Sequence, residues 1–206
     1  MPVEAPPPQP TPDRLIVAIT GASGVIYGIR ALEQLRRRGG IETHLVVSRA
    51  AIRTIQEETP YSLAEVRALA DREHSVRDIG ASIASGSFRT LGMLVAPCSA
   101  KTLSRIAHCD GDELVARAAD VCLKERRRLV LLVRETPLHA GHIELMRTAT
   151  NSGAIIMPPV PAFYHRPRTI DDIVDQTVGR ALDLFGVDLD WVKRWPDAAR
   201  ANAAPD

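Results

Sequence analysis

The stretch Leu15 to Gly28, LIVAITGASGVIYG, constrains the fold more than any other. An apolar run of strand length breaks at Gly21-Ala22-Ser23-Gly24 and resumes at helical spacing, the pattern of a strand, a tight turn and a helix packed back on the strand. Glycines let the backbone turn sharply and approach an anion, Ser23 adds a hydroxyl, and a helix from about Val25 aims its unpaired N–H groups at the same point. The stretch therefore predicts a phosphate cradle. A dinucleotide fingerprint would need glycines at 21, 23 and 26, where the chain has Ser23 and Ile26, so the spacing disfavours NAD and favours a mononucleotide.

Further along, apolar runs without polar alternation recur between helical stretches. Strands are predicted at 43–48, 91–96, 129–133 and 154–157, the last read as a central strand. Helices are predicted at 50–58, 62–78, 101–108, 112–127, 137–150 and 171–185, with Ser99 as a cap and Pro137 in a first turn. Strands of this kind alternating with helices mean a mainly parallel sheet covered on both faces, a doubly wound α/β fold of the flavodoxin or Rossmann type. Ligands bind such sheets beyond the carboxyl ends of the strands. Ser23, Ser48, Ser99 and the pair Arg134-Glu135 all fall at those ends.

At 206 residues, 45% apolar and 25% charged, the chain suits one soluble domain over 14–195. Six prolines among residues 1–13 predict a disordered, extended tail there, and residues 196–206 a flexible C-terminal tail. Lys plus Arg number 26 against 25 acidic residues, which leaves no broad positive field for nucleic acid. No apolar run reaches the roughly 20 residues of a membrane span. Cys98, Cys109 and Cys122 form no C-x-x-C pair, so a cytoplasmic location without disulfides or zinc is expected.

Several constellations admit two readings. Ser85-Gly86-Ser87 is either a flexible loop or a close-packing element for an anion or ring. Pro97 to Thr102 is a helix start whose hydroxyls either cap or bind. Arg117, Asp120 and Lys124, spaced three and four apart, read most simply as a solvated salt-bridge ladder, though Lys124 could bring a movable charge to a phosphate. Arg134 could fork onto a phosphate and Glu135 could carry a proton, or Glu135 could simply meet a helix dipole. His139 and His142 resemble a metal pair but lack a partner cluster. The proline-rich run 158–167, with Phe163 and Tyr164, reads as a shaped wall or lid.

With the cradle, SGSF, PCSAKTL, RAADVCLKERR, RETPL and PPVPAFYHRP in order, the chain resembles the UbiX family of flavin prenyltransferases over residues 14–195. That resemblance implies that reduced FMN and dimethylallyl monophosphate are bound, and that the C5 unit is joined to N5 and C6 of the flavin. It implies that no metal takes part and that the prenylated FMN serves a UbiD-type decarboxylase, in ubiquinone synthesis or aromatic acid decarboxylation. By the same resemblance FMN meets Gly21, Ala22, Ser23, Ser48, Ser99, Ala100, Lys101, Thr102 and Arg134. The prenyl phosphate meets Tyr164, Arg180, Lys124, Ser87 and Arg117, while Glu135, Lys124 and Ser23 act in catalysis. A homo-oligomer, commonly a dodecamer with sites at subunit junctions, is also implied. Some members carry a Trp before the Ser-Gly-Ser element, where this chain has no aromatic residue between Ile79 and Ala84.

Two alternatives compete with this reading. Flavin-dependent cysteine decarboxylases carry an Asn-x-x-Met-Trp element that this chain lacks. A non-catalytic flavin-carrying small subunit of a decarboxylase complex would not need Lys124, Glu135, Tyr164 and Arg180 together.

Overall fold

The computed structural model describes residues 12–194, so the tails expected at 1–13 and 196–206 lie outside the described residues apart from Pro12 and Asp13. Asp13 already belongs to the first strand. Six parallel strands are present, β1 (Asp13–Ile19), β2 (Ile41–Val47), β3 (Arg72–His74), β4 (Gly92–Cys98), β5 (Arg128–Val133) and β6 (Ile155–Ile156), in the order β3-β2-β1-β4-β5-β6. The chain winds outward one way from β1 to β3, then restarts at β4 beside β1 and winds the other way. The topological switch point therefore lies between β1 and β4.

Two helical layers cover the sheet. On one face α1 (Ile26–Arg38), α2 (Arg49–Glu58), α3 (Leu63–Ala68) and α7 (Ile170–Asp183) share a core with Leu15, Val17, Ile19 and Leu94. On the other, α4 (Ala100–Ala107), α5 (Leu114–Lys124), α6 (Ala140–Asn151) and a short 3-10 turn (Ser82–Ala84) pack on Ile16, Ala18, Met93 and Leu131. Period-2 alternation within each strand thus feeds both cores, and β1, β4 and β5 are buried along nearly their whole length. On α5 the stripe of Leu114, Ala118, Val121 and Cys122 is fully buried.

The expected boundaries change in four places. The polar stretch 62–78 is not one helix: α3 stops at Ala68, and Arg72–His74 pairs with β2 as an edge strand. A three-residue edge strand pairs on one side only and needs no apolar run, so its pattern hides it. Second, α6 begins at Ala140 with His139 as its cap, and Pro137 follows a cis bond ahead of it rather than sitting in the first turn. Third, β6 is a two-residue, half-buried edge strand rather than a central one. Fourth, α5 ends at Lys124 rather than Arg127. Glu125 is its C-cap, Arg126 takes φ 57, and the Arg126 and Arg127 N–H groups donate back to Leu123 O (3.1 Å) and Cys122 O (2.8 Å). This is a Schellman turn with an arginine where glycine is usual.

Candidate active site

The carboxyl ends of β1 and β4 are joined by a residue that the motifs did not single out. Thr20, 1% exposed, donates its hydroxyl to Pro97 O (2.7 Å) and accepts from Ser99 N (2.9 Å). It ties the loop leaving β1 to the loop leaving β4 at the switch point. Its position immediately before the glycine turn was the available signal.

Above this staple runs Gly21 to Gly24. A side chain at Gly21 would overlap Ala50 Cβ at the start of α2, and Gly24 takes φ 95, so both glycines are demanded by geometry. The α1 N-terminus receives no side-chain cap, whereas Ser48, Ser99, His139 and Thr169 cap α2, α4, α6 and α7. Tyr27 N and Gly28 N donate to Gly24 O (3.0 Å) and Val25 O (3.1 Å), so the N–H groups ahead of them are the ones left to face an external anion. A carboxylate already meets this loop: Glu58 Oε2 accepts from Gly24 N at 2.7 Å, doing what a phosphate oxygen would do. Ser23 is exposed at the rim.

Around the cradle stand the other strand-end residues. Ser48 N donates to Ile19 O (3.0 Å), and the Ser48 hydroxyl accepts from Ala51 N (3.3 Å). The Ser99 hydroxyl accepts from Thr102 N (3.3 Å) and donates to Thr102 Oγ1 (3.1 Å), so the expected cap is present. Arg134 N donates to Cys98 O (3.1 Å), and the Glu135 carboxylate accepts from Thr136 N (3.0 Å). Gly21, Ala22, Ser23, Ser48, Ser99 to Thr102, Arg134 and Glu135 are thus gathered at one edge of the sheet. The residues fit a mononucleotide phosphate: an α1 start without a side-chain cap, small residues and the four hydroxyls of Ser23, Ser48, Ser99 and Thr102, with the Glu58 carboxylate on Gly24 N the group a phosphate would replace.

The remaining candidates lie elsewhere. Tyr164 is held on the α7 face, where its hydroxyl accepts from Gln176 Nε2 (2.8 Å) and donates to Lys193 O (3.2 Å). Arg180, one turn beyond Gln176, pairs with Asp183. Lys124 and Arg117 are on α5, in the opposite layer, where Arg117 pairs with Asp120 (2.8 Å) and Lys124 with Glu125. Lys124 also sits four residues before β5 begins, at the amino end of the sheet, beside Gly86. Ser23 stands about 20 Å away along the strand direction, the length of a strand of this size. One chain therefore does not bring Lys124, Ser87 and Arg117 to Ser23, nor to Tyr164 and Arg180 on the α7 side.

Other features separate from the chemistry. A cavity of about 390 Å³ between α1 and α7 is lined by Arg30, Arg37, Gln176 and Trp191, but Arg30 is already paired with Asp171 and Asp175 and offers no spare charge. The His139 and His142 rings stack at 3.8 Å, with His139 Nδ1 occupied by Gly141 N, which is a cap rather than a metal pair. No group of three or more His, Cys, Asp or Glu among the described residues could hold a metal. Phe88 packs edge-on to His44 (5.2 Å), with the Arg14 guanidinium over its ring (4.5 Å). Arg14 is at the start of β1, so Phe88 is no wall for the cradle of its own chain.

Comparison with known proteins now decides the family. Residues 5–182 match the family described as Flavoprotein. The flavin prenyltransferase UbiX of Escherichia coli (strain K12) is 62% identical over 187 residues, 90% of this chain and 99% of that protein. The chain belongs to the UbiX flavin prenyltransferase family. Among solved UbiX structures, AnUbiX (PadA1) in complex with FMN and dimethylallyl pyrophosphate superposes with TM-score 0.88 at 51% identity, covering 91% of this chain and 99% of that one. A dodecameric FMN-dependent UbiX-like decarboxylase from Escherichia coli O157:H7 superposes with TM-score 0.87 at 50% identity, covering 89% and 100%. The resemblance drawn from motif order is thereby borne out, and so is the doubly wound fold. No helix among the described residues is long and apolar enough to cross a membrane.

Proposed function

We propose that the chain transfers the dimethylallyl group of dimethylallyl monophosphate to N5 and C6 of reduced FMN, and that the prenylated flavin passes to a UbiD-type decarboxylase. The observation that carries this reading is the 62% identity to a UbiX prenyltransferase across 90% of the chain. The uncapped, glycine-lined cradle at the switch point supports it independently. When bound, the reduced flavin supplies the nucleophile, so the protein needs none of its own.

The chain's residues divide the remaining work. Gly21 to Ser23 and the hydroxyls of Ser48, Ser99 and Thr102 hold the flavin phosphate, with Ala100, Lys101 and Arg134 along the same edge. As the allylic C–O bond breaks, its electron pair leaves with the phosphate. Lys124, Arg180, Tyr164 and Ser23, helped by Arg117 and Ser87, stabilise that growing charge in place of water. Glu135 takes or returns a proton beside the leaving phosphate. Cys98 and Cys122 are free and buried, and burial pushes both thiols up, so neither competes as a nucleophile. Free cysteines also fit a cytoplasmic setting.

Because Lys124 and Arg180 lie in opposite helical layers of one chain, the site is completed between copies in a homo-oligomer, a dodecamer by analogy with the solved relative. Leu138, Ile143, Phe163 and Ile170, each about half or more exposed, supply apolar surface for such contacts.

Anaerobic incubation with reduced FMN and dimethylallyl monophosphate is expected to yield a flavin heavier by one C5 unit, read by mass spectrometry. Unchanged flavin despite demonstrated FMN binding, with both the monophosphate and the pyrophosphate, would reject the reading. Glu135→Gln should bind FMN normally and turn over about 100-fold more slowly, the scale of one lost transition-state contact.

A further inference from the structure

The corner that carries Lys124 is built with more care than an exposed ion pair requires. The Schellman turn after α5 carries the chain back, and the side chain of the half-buried Arg127 then reaches under the Ser-Gly-Ser loop. Its two terminal nitrogens donate to two main-chain carbonyls of that loop, Nη1 to Phe88 O (2.7 Å) and Nη2 to Gly86 O (2.5 Å). A planar guanidinium meets two carbonyls with two separate nitrogens in a fixed fork, whereas an ammonium brings a single nitrogen with rotatable donors. The loop closes on itself through Phe88 N to Ser85 O (3.2 Å) and the contact of the Ser85 and Ser87 hydroxyls (3.0 Å).

Gly86 is the other half of the device. A Cβ built there would overlap the Glu125 carboxylate and the Lys124 ammonium. The bare backbone at 86 is therefore the space in which Lys124 lies, and the residues on either side of that glycine, Ser85 and Ser87, carry hydroxyls. Glu125 pairs with that ammonium and is held below the usual carboxylate range by it.

We infer that Arg127 is a positioning residue: by fixing the Gly86 and Phe88 carbonyls it sets Lys124 and Ser87 as one phosphate-binding edge, presented to the cradle of a second copy. This rests on the reading above, in which Lys124 and Ser87 meet the prenyl phosphate. Arg127 itself touches the loop, and acts through it.

The test is steady-state kinetics of the full-length, assembled protein with saturating reduced FMN and varied dimethylallyl monophosphate. Arg127→Gln and Arg127→Lys should each raise KM for the prenyl phosphate about tenfold, the scale of one misplaced charge-assisted contact, with FMN affinity within about twofold of wild type. Gly86→Ala, which keeps Arg127 but pushes flexible side-chain ends aside, should raise KM to a similar degree, and it decides the matter if the Arg127 variants do not fold. Lys124→Ala is the control for the underlying reading. A raised KM in Lys124→Ala beside an unchanged KM in Arg127→Gln, or in Gly86→Ala where only that variant folds, overturns the positioning role and leaves the proposed function standing. An unchanged KM in Lys124→Ala overturns the phosphate edge and the positioning role together. A lower kcat and melting temperature at constant KM would mark Arg127 as structural only and also overturn the inference.

Discussion

In the proposed function the cradle between β1 and β4 and the corner around Lys124 serve the same kind of ligand by different physical means. The cradle is made of backbone: glycines that nothing else could replace, an uncapped helix end, and Thr20 stapling two strand ends. The corner is made of side-chain charge, with an exposed ammonium parked on Glu125 over a glycine loop that an arginine grips from below. The first is complete within one chain. The second faces away from it, at the other end and on the other face of the sheet. Backbone sites are fixed by strand topology, whereas charged side chains on a helix surface are free to serve a neighbour, and under the proposed function this division makes assembly part of catalysis.

The sharpest way to break that contrast is to mix two impaired variants. Ser23→Ala damages only the cradle and Lys124→Ala only the corner. Co-assembled from the unfolded or co-expressed state, they should recover activity, up to about a quarter of wild type if copies mix at random and each site draws on two chains. No recovery over either variant alone would mean that both residues serve the same chain's site. Smaller in effect, Gly21→Val tests the backbone half: the added side chain must displace the start of α2, and overpacking of this kind is expected to weaken FMN binding at least about tenfold, measured by fluorescence titration. Wild-type affinity would show that the loop tolerates side chains and is no close-approach cradle.

The smallest expected effect concerns the edge from which the Ser-Gly-Ser segment departs. On β2 and β3, His44 Nδ1 meets His74 Nε2 (2.8 Å) and His44 Nε2 meets Glu42 (2.9 Å). Glu42, Glu73 and Asp78 favour protonation, while Arg14, Arg72 and the neighbouring imidazole oppose it, and burial dominates, holding both rings below the ordinary 6.5. The unfolded chain then takes up protons first as pH falls. The stabilising contribution is full above about pH 6.5 and is lost as pH drops through the lowered folded values. Melting temperatures from pH 8 to 5.5 should fall less steeply in His74→Gln than in wild type, and equal slopes would remove the pair from the account.

What could be read from the chain alone was whatever neighbours a few residues apart control. The strand, glycine turn and helix of 15–38, the Ser99 cap, the apolar runs of β1, β4 and β5 and the order of the motifs are all local, because hydrophobic period, capping and turn chemistry act within one or two turns of chain. Long-range contacts decided the rest. Thr20 became a staple only because residues 97 and 99 lie beside it. Arg72–His74 became a strand only because β2 offered an edge. Arg127 became a clamp because the turn after α5 brings it to carbonyls about 40 positions earlier in the chain. Above all, sequence placed Lys124, Tyr164 and Arg180 in one list of candidates, but two helical layers on opposite faces of a parallel sheet set them apart, since a sheet buried on both sides cannot let side chains of its two covering layers meet.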